Sequence, residues 1–283
     1  MKKAQAAQMI NPKTKLFAVI GFPIKHSLSP TMHNFWFKEE NLNCKYLAFE
    51  ASPKNLKNFF SAFKTLGFCG INITLPHKNA AVKYLDFADD SVKAAGSVNT
   101  VLFKGGKAFG YNTDCEGFSR DLKDKKIKVK DKTVFLYGAG GAAKAVANAL
   151  KKDGAKKIYA ANRTHKKALA LAKNFRLTAV KEKDAAQILS FADLIVNASS
   201  CGMNKDDVLP FCAKPINKKA VIYDLIYNKN TPFKDLAKKS GLKYFSAEGM
   251  LSRQGAAAFK IWTGIYPNVK KIDSLINDIT VNR

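Results

Sequence analysis

The chain is short of arginine and of acid. Of 283 residues, 48 are Lys or Arg against 22 Asp or Glu, and Arg120, Arg163, Arg176, Arg253 and Arg283 are its only arginines. A net charge of +26 raises a nucleic-acid reading. Readers of base edges favour the bidentate guanidinium, however, and backbone binders gather their charge on one face or tail. Here the charge is lysine, scattered along the whole chain, which suits the attraction of small anions. The five cysteines (Cys44, Cys69, Cys115, Cys201 and Cys212) include no CxxC pair, and the four histidines (His26, His33, His77 and His165) show no zinc-ligand spacing. Neither a disulfide framework nor a metal site is indicated, and a reducing cytoplasm is expected. Met1 to Lys15 has lysines but no apolar run long enough for a signal peptide or a membrane span, and is expected to be a flexible lead-in. Repeats, low-complexity segments and heptads are absent too. What remains is a globular chain, 47% hydrophobic and long enough for two domains.

The sequence is organised around Thr133-Val134-Phe135-Leu136-Tyr137, an apolar run that leads into Gly138-Ala139-Gly140-Gly141-Ala142-Ala143. The first glycine permits a tight turn and the second lets backbone approach a pyrophosphate. The small Ala143 lets the following helix, Ala142 to about Lys152, pack on the strand. Phosphates would rest on the free amides at that helix's positive end. Such turns also join strands to helices with no ligand, but here a second strand, Lys157–Ala161, follows. It ends in Asn162-Arg163-Thr164, where an NAD site would carry an acid for the ribose hydroxyls. Arg163, with Lys166 and Lys167 behind it, instead suits the 2′-phosphate of NADP. Further strands at Ala192–Asn197 and Ala220–Leu225 continue the alternation of a doubly wound sheet.

The first half alternates in the same way. Leu16–Gly21 reads as a buried strand leading to Ser27 and Ser29. There Ser29 suits an N-cap and Pro30 the first helical position of a helix reaching about Glu40. Two hydroxyls at a strand exit also suit a hydroxylated or carboxylate ligand. Tyr46–Phe49 is a strand, and Leu56–Leu66 a helix with Phe59, Phe60 and Phe63 inward. In Gly70 to Leu75, Ile71, Ile73 and Leu75 alternate with Asn72 and Thr74, which puts the two polar side chains on one face. Pro76 ends that strand and places Lys78 in the first turn of a helix toward Asp86. The macrodipole there would disfavour an ammonium and ease release of its proton. Strands at Gly96–Phe103 and Ala108–Asp114 flank Gly105-Gly106. With a two-residue turn, paired positions set Asn99 opposite Asn112, close to Asp114. Asp114 could equally cap a helix starting near Glu116. A last helix, Leu251 to about Ile265, carries Gln254 in its first turn.

Taken in order, GFPIKHSLSPTMHN, GINITLPHK, AGSVNT, GYNTD, GAGGAA, NRT, NASSCGM, YDLIYN and GMLSRQGA resemble the bacterial shikimate dehydrogenase family, NADP-dependent enzymes of aromatic amino-acid biosynthesis. The resemblance runs from Gly21 to Phe259. It implies reversible NADPH-dependent reduction of 3-dehydroshikimate to shikimate. Ser27, Ser29, Asn72, Thr74, Asn99, Asp114, Tyr227 and Gln254 would bind substrate, and Lys78 and Asp114 would be the catalytic pair. The resemblance gives NADP to Gly138, Ala139, Gly140, Gly141, Ala142, Asn162, Arg163, Thr164, Lys167, Leu225, Ala247 and Asp90. It implies an α/β fold in two domains. Residues 1–114 with 249–283 form the substrate domain, to which the C-terminal helices return, and 115–248 form a Rossmann-like NADP domain, with the active site in a cleft between them. The enzyme would be cytoplasmic, a monomer or homodimer, without metal, membrane or nucleic-acid partner.

Three positions depart from the family pattern: Cys115 and Ala247 stand where glycine is common, and Lys167 where arginine is frequent, which removes a bidentate fork from the 2′-phosphate. Two other readings stand beside this one. A quinate/shikimate dehydrogenase with relaxed cofactor use differs by as little as one contact. A basic nucleic-acid-binding protein on a dinucleotide fold would reveal itself by a steep salt dependence.

Overall fold

A computed structural model describes residues 10–227 and 230–281, so the first nine residues of the expected lead-in lie outside it. The chain runs through β1 (Lys15–Gly21), α1 (Ser29–Glu39), β2 (Cys44–Glu50), α2 (Leu56–Thr65), β3 (Gly70–Ile73), β4 (Phe87–Ala88), α3 (Asp90–Ala95), β5 (Thr100–Lys104) and β6 (Lys107–Tyr111). There follow α4 (Asp114–Asp124), β7 (Thr133–Tyr137), α5 (Gly141–Lys152), β8 (Lys157–Ala161), α6 (His165–Phe175), β9 (Thr178–Ala179), α7 (Ala185–Leu189), β10 (Leu194–Asn197), β11 (Val221–Asp224), α8 (Pro232–Ser240) and β12 (Lys243–Ser246). The last two helices are α9 (Glu248–Thr263) and α10 (Val269–Val281). Two compact units result: the chain up to Thr113 with Ser252–Ile276, and Asp114–Leu251 with the chain from Asn277 onward.

The first unit holds a mixed sheet in the order β2-β1-β3-β5-β6-β4. β1 lies between β2 and β3, parallel to both, and its apolar run is buried from Phe17 to Gly21. β5 turns antiparallel and pairs with β6 from Lys104 opposite Lys107 to Thr100 opposite Tyr111, the register that a two-residue Gly105-Gly106 turn dictates. Both glycines have positive φ, 57° and 70°, as a type I′ turn requires. Phe60, Phe63 and Phe68 pack with Ile71 and Ile73 in one cluster. A second layer is aromatic: Phe17, His33, Trp36, Phe37 and Tyr46 meet Phe259 and Trp262 of α9. Each fully buried ring of this kind contributes about 2–3 kcal/mol. Trp262 also donates its indole N–H to the Val101 carbonyl at 3.0 Å, tying the C-terminal helix to β5.

In this unit several expectations need correction. Ser29 is not the cap of α1: Leu28 occupies that position, and the Ser27 hydroxyl accepts from the Ser29 amide at 3.3 Å. β3 ends at Ile73, so Thr74 falls in the following turn and Leu75 is 62% exposed, off the alternating face. No α-helix follows Pro76. Lys78 sits in a turn before the 3-10 segment Ala80–Tyr84, which removes the helix-dipole argument for it. The AGSVNT stretch joins its strand only from Thr100. α9 starts a turn early, at Glu248, because Glu248-Gly249-Met250 are helical, and this moves Gln254 into the second turn. A further amphipathic helix, α10, follows; residue patterning alone placed only one helix in this region, while the resemblance implied more than one.

The second unit is one all-parallel sheet in the order β12-β11-β10-β7-β8-β9, with the sequence-first strand in the middle and the order reversing beside it. In such sheets ligands bind beyond the carboxyl ends of the strands at the point of reversal, here β7/β10. β7 and β8 have the predicted bounds. β10 and β11 are shorter than expected, because Ala192, Asp193 and Ala220 precede the ladder. Val134, Leu136, Val196 and Tyr223 of the strands pack with Ala143, Val146 and Leu150 of α5 in one core cluster.

Candidate active site

In the first unit, the ends of β3, β5 and β6 bring four polar side chains together with α9. Asn72 spends both amide hydrogens inside the protein, on the Asn99 carbonyl and the Thr100 hydroxyl, each at 3.0 Å. Its oxygen accepts from the Tyr46 hydroxyl at 2.6 Å. Asn99 takes the Thr113 amide (2.9 Å) and the Thr100 hydroxyl (3.0 Å) on its oxygen. Its amide nitrogen gives to the Thr113 hydroxyl (2.9 Å) and to Gln254 Oε1 (3.3 Å). Thr113 Oγ1 also lies 3.5 Å from Gln254 Oε1. The row Asn72–Thr100–Asn99–Thr113–Gln254 is therefore continuous, and every member is a neutral amide or hydroxyl. Neutral groups of this kind can exchange partners with a ligand's hydroxyls or carboxylate without leaving a charge unpaired.

Ser27, Ser29, Thr74 and Lys78 belong to the same unit. Ser29 is 9% exposed, and Ser27 and Thr74 are partly buried. Lys78 accepts the Val98 amide on its carbonyl at 2.9 Å, which anchors its turn to the segment that runs through Asn99 into β5. Of the remaining substrate residues, Asp114 is the first residue of α4 and 5% exposed, and Tyr227 follows β11. Both fall in the second unit, while Lys78 falls in the first. α4 begins at Asp114 itself, which removes the reading of this residue as cap of a helix from Glu116. Sequence reasoning missed Thr113 and Tyr46. Thr113 sits inside the GYNTD motif beside Asp114, one residue past the Asn112 that the hairpin register set opposite Asn99. Tyr46 carries no local signal, since only tertiary packing brings its hydroxyl to Asn72. Burial holds that phenol well above its usual range, the neighbouring Ser29 hydroxyl opposing.

In the second unit, Gly138 has φ 123°, and a Cβ there would lie 2.5 Å from the Ala198 carbonyl carbon and oxygen. The glycine thus lets the turn after β7 lie against the backbone leaving β10. A Cβ on Gly140 would meet nothing within 4 Å, so the loop is open on that side. Gly140 caps α5 in extended conformation, and the free amides of Gly141, Ala142 and Ala143 open the helix above it. Asn162 donates to the Thr164 carbonyl at 3.1 Å, shaping the turn that leaves Arg163 and Lys167 exposed. The Arg163 charge reaches the end of β7. Burial and Glu182, whose carboxylate accepts the Tyr137 hydroxyl at 2.5 Å, push the Tyr137 phenol up, and Arg163 opposes them. Leu225 packs on the core below the loop, and Ala247 is 4% exposed within that core. Asp90 is in the first unit, on the exposed face of α3, paired with Lys93 at 2.9 Å.

This arrangement fits a dinucleotide: an open glycine loop, a helix N-terminus and an exposed cation at the strand end where a 2′-phosphate would be read. Among the described residues, no group of three or more His, Cys, Asp or Glu side chains is gathered as a metal site requires. A cavity of about 420 Å³ lined by Thr31, Asn34, Phe37, Lys38, Cys44 and Leu275 shares no residue with the candidate site.

Three stretches match known families: residues 19–101 the shikimate dehydrogenase substrate binding domain, 121–225 shikimate/quinate 5-dehydrogenase, and 248–274 the shikimate 5′-dehydrogenase C-terminal domain. The chain is 45% identical over 256 residues to shikimate dehydrogenase (NADP(+)) of Aquifex aeolicus, covering 90% of this chain and 94% of that one. It is 44% identical over 281 residues to the protein of the same name from Methanocaldococcus jannaschii, covering 95% and 99%. Among solved structures, shikimate 5-dehydrogenase from Thermus thermophilus, in complex with NADP(H) and shikimate, aligns with a TM-score of 0.86 at 37% identity, covering 94% of this chain and 99% of that one.

Proposed function

The chain belongs to the shikimate dehydrogenase family, and we propose that it catalyses the reversible NADPH-dependent reduction of 3-dehydroshikimate to shikimate, with Lys78 and Asp114 as the catalytic pair. The observation that supports this best is the pairing, in one chain, of a row of neutral hydrogen-bonding side chains with an open glycine loop followed by an arginine. The first suits a small polyhydroxylated acid and the second a 2′-phosphorylated dinucleotide. We assign substrate binding to the unit built on β1–β6, taking the domain as residues 1–114 with 249–283. NADP is assigned to the unit built on β7–β12, residues 115–248.

NADPH, when bound, would supply the hydride that reduces the ring ketone. As that bond forms, negative charge develops on the ketone oxygen, and Lys78 donates the proton that neutralises it; in the reverse direction Lys78 takes the proton back. Asp114 orients the ammonium and the substrate hydroxyl. Ser27, Ser29, Thr74, Asn99, Tyr227 and Gln254 hold the carboxylate and hydroxyls. Asn72, whose amide hydrogens rest on Asn99 and Thr100 in this structure, joins them in binding substrate by exchanging those partners. Gly138 to Ala142 cradle the pyrophosphate, Asn162 to Thr164 with Lys167 read the adenosine end, and Leu225, Ala247 and Asp90 complete the cofactor set. Among the described residues no helix is long and apolar enough to cross a membrane. We place the enzyme in the cytoplasm as a monomer or homodimer, without a nucleic-acid partner, on its free cysteines and dispersed lysines.

The test is a spectrophotometric assay with shikimate or quinate as reductant and NADP+ or NAD+ as acceptor. Shikimate with NADP+ is expected to give the highest kcat/KM of the four combinations. A faster reaction with quinate or NAD+ would replace this assignment, and no reduction of either cofactor would end it.

A further inference from the structure

Two motifs, NASSCGM and YDLIYN, each contain one fully buried polar residue to which substrate and cofactor roles leave nothing to do. Asn197 closes β10 and Asp224 closes β11, they are register partners across the two strands, and both are 0% exposed. Asn197 Nδ2 donates to Asp224 Oδ1 at 2.8 Å. From this pair hydrogen bonds reach the loops that leave both strands. Asn197 Oδ1 accepts the Ser199 amide (3.1 Å) and hydroxyl (2.7 Å), and its Nδ2 also donates to the Cys201 carbonyl at 2.9 Å. Asp224 Oδ1 accepts the Ile226 amide at 3.0 Å, fixing the segment Leu225–Tyr227. Its Oδ2 accepts the Thr231 hydroxyl (2.7 Å) and the Tyr244 hydroxyl (3.3 Å), and Thr231 in turn caps α8. The backbone at Ala198 and Ser199 is the surface on which Gly138 lies. One buried pair thus joins the glycine loop, the loop after β10 and the loop after β11.

We propose that Asn197 and Asp224 are positioning residues that hold the Leu225–Tyr227 loop in fixed relation to the glycine loop, and so set where the nicotinamide half of bound NADP lies. The proposal rests on the NADP reading above. Its chemistry distinguishes the two carboxylate oxygens. Oδ1 faces two N–H groups, which can only donate. Oδ2 faces two hydroxyls, which can turn round and accept. Asp224→Asn can therefore place its NH2 toward Thr231 and Tyr244 and keep an acceptor for Asn197 and Ile226. Asp224→Ala keeps none and leaves both N–H groups without their acceptor.

The experiment compares NADP with adenosine 2′,5′-bisphosphate, the half of the cofactor that lacks nicotinamide. Losing a bond to a buried charged acceptor costs about tenfold to a hundredfold. Asp224→Ala is expected to raise the KM for NADP and lower kcat by that order. The dissociation constants of adenosine 2′,5′-bisphosphate and of shikimate should stay within about threefold. Asp224→Asn should behave as wild type within the same margin. Should Asp224→Ala fail to fold, Ile226→Pro removes the loop's donor while leaving the buried pair intact, and the same rise in the NADP KM is expected. An unchanged NADP KM in whichever of these variants folds would overturn the proposal. An equal loss of adenosine 2′,5′-bisphosphate would overturn it too, since the damage would then be to the whole site. Failure of the wild type to bind adenosine 2′,5′-bisphosphate would instead remove the NADP reading, and this proposal with it.

Discussion

Buried polarity is handled in opposite ways in the two units. In the first, the groups of the candidate site are neutral: the amides of Asn72 and Asn99 and the hydroxyls of Thr100 and Thr113, with a fully buried His33 stacked 4.4 Å from Tyr46 and neither of its ring nitrogens bonded; the buried Arg253, paired with Asp273 at 2.8 Å, stands outside that row. In the second, the buried anchors include carboxylates, one of them beside the neutral Asn197. Asp224 accepts four donors, and Asp121, 1% exposed, accepts the Tyr223 hydroxyl at 2.6 Å and the Lys125 ammonium. A carboxylate saturated with donors has no capacity left for a ligand and fixes the backbone around it. Neutral amides and hydroxyls can trade one partner for another. The first unit's candidate-site residues therefore suit recognition and the second unit's buried carboxylates suit framing. Each substitution below should move one kind of property and leave the other alone.

The largest effect is expected at Lys78, the one cationic residue in the first unit's candidate set. Lys78→Met keeps the length and apolar stem and deletes the proton carrier. General acid-base catalysis contributes about 10²–10⁴-fold, or roughly 3–5 kcal/mol. Turnover should fall by that order, with the shikimate dissociation constant changed far less. Near-normal turnover with lost affinity would make Lys78 a recognition residue and blur the contrast within its own unit.

Next comes stability against acid. Burial pushes His33 down from 6.5 to about 3, so between these values the unfolded chain binds a proton that the native ring refuses. Stability is then highest above pH 6.5 and falls as pH drops toward 3, by about 3 kcal/mol at pH 4. Asp224 contributes with the opposite sign, because burial raises its carboxyl and the native state takes up a proton before the unfolded one. Comparing wild type with His33→Phe isolates the histidine, and the variant should lose less stability between pH 7 and pH 4 in denaturant titrations. Parallel losses in the two proteins would mean that His33 is not kept neutral.

The central strands of the second unit, β7 and β8, and the helix between them were legible almost to the residue, while β9, β12 and the helices α6 to α8 were not read from the sequence. The run Thr133–Tyr137, the glycine turn and Lys157–Ala161 carry local signals for strand, turn and strand, and a parallel sheet buried on both faces has few other ways to arrange them. The Gly105-Gly106 hairpin was legible for the same reason, since turn length fixes register. What failed depended on tertiary context. The sequence after Pro76 has ordinary helix formers, yet it folds as a turn and a 3-10 segment that seats Lys78 against Val98, just before Asn99. Ser29 has the composition of a cap, but Ser27 holds its amide. The Asn72–Gln254 row joins residues 182 positions apart, and no spacing rule links α9 to β3. Asn197 and Asp224 were inside quoted motifs but looked like strand ends, because burial and cross-strand register are invisible until the sheet order is known.

A smaller effect is expected at Arg163, where the cation lies outside the buried frame on an exposed turn. A charge-assisted hydrogen bond to a 2′-phosphate is worth about 1.5–3 kcal/mol, or roughly 10- to 150-fold. Exposure places Arg163 at the lower end of that range. Arg163→Ala should raise the KM for NADP by about tenfold and leave that for NAD unchanged, with no loss of melting temperature. Equal losses for both cofactors would make Arg163 part of the frame, and the unit would then have no recognition group at that strand end.

The smallest effect is expected at Gln254, and it tests most directly whether the neutral row is there to recognise or to hold. Its Oε1 lies 3.3 Å from Asn99 Nδ2 and 3.5 Å from Thr113 Oγ1, long for hydrogen bonds and weaker than the 2.9 Å contacts between Asn99 and Thr113. Truncating it should therefore disturb the row little, since Asn99 and Thr113 remain bonded to each other. A ligand hydroxyl or carboxylate that took over from those long contacts would gain a better bond than the one it displaced. Gln254→Ala is then expected to weaken shikimate binding by about fivefold to tenfold, the worth of roughly one net hydrogen bond. The KM for NADP should be unchanged and the melting temperature should move by no more than about 2 °C. Isothermal titration with shikimate, alongside a thermal melt, reads both quantities on the same sample. A drop in melting temperature with an unchanged shikimate dissociation constant would mean that the row is a frame like the one around Asp224, and the contrast between the units would collapse at the residue meant to define it.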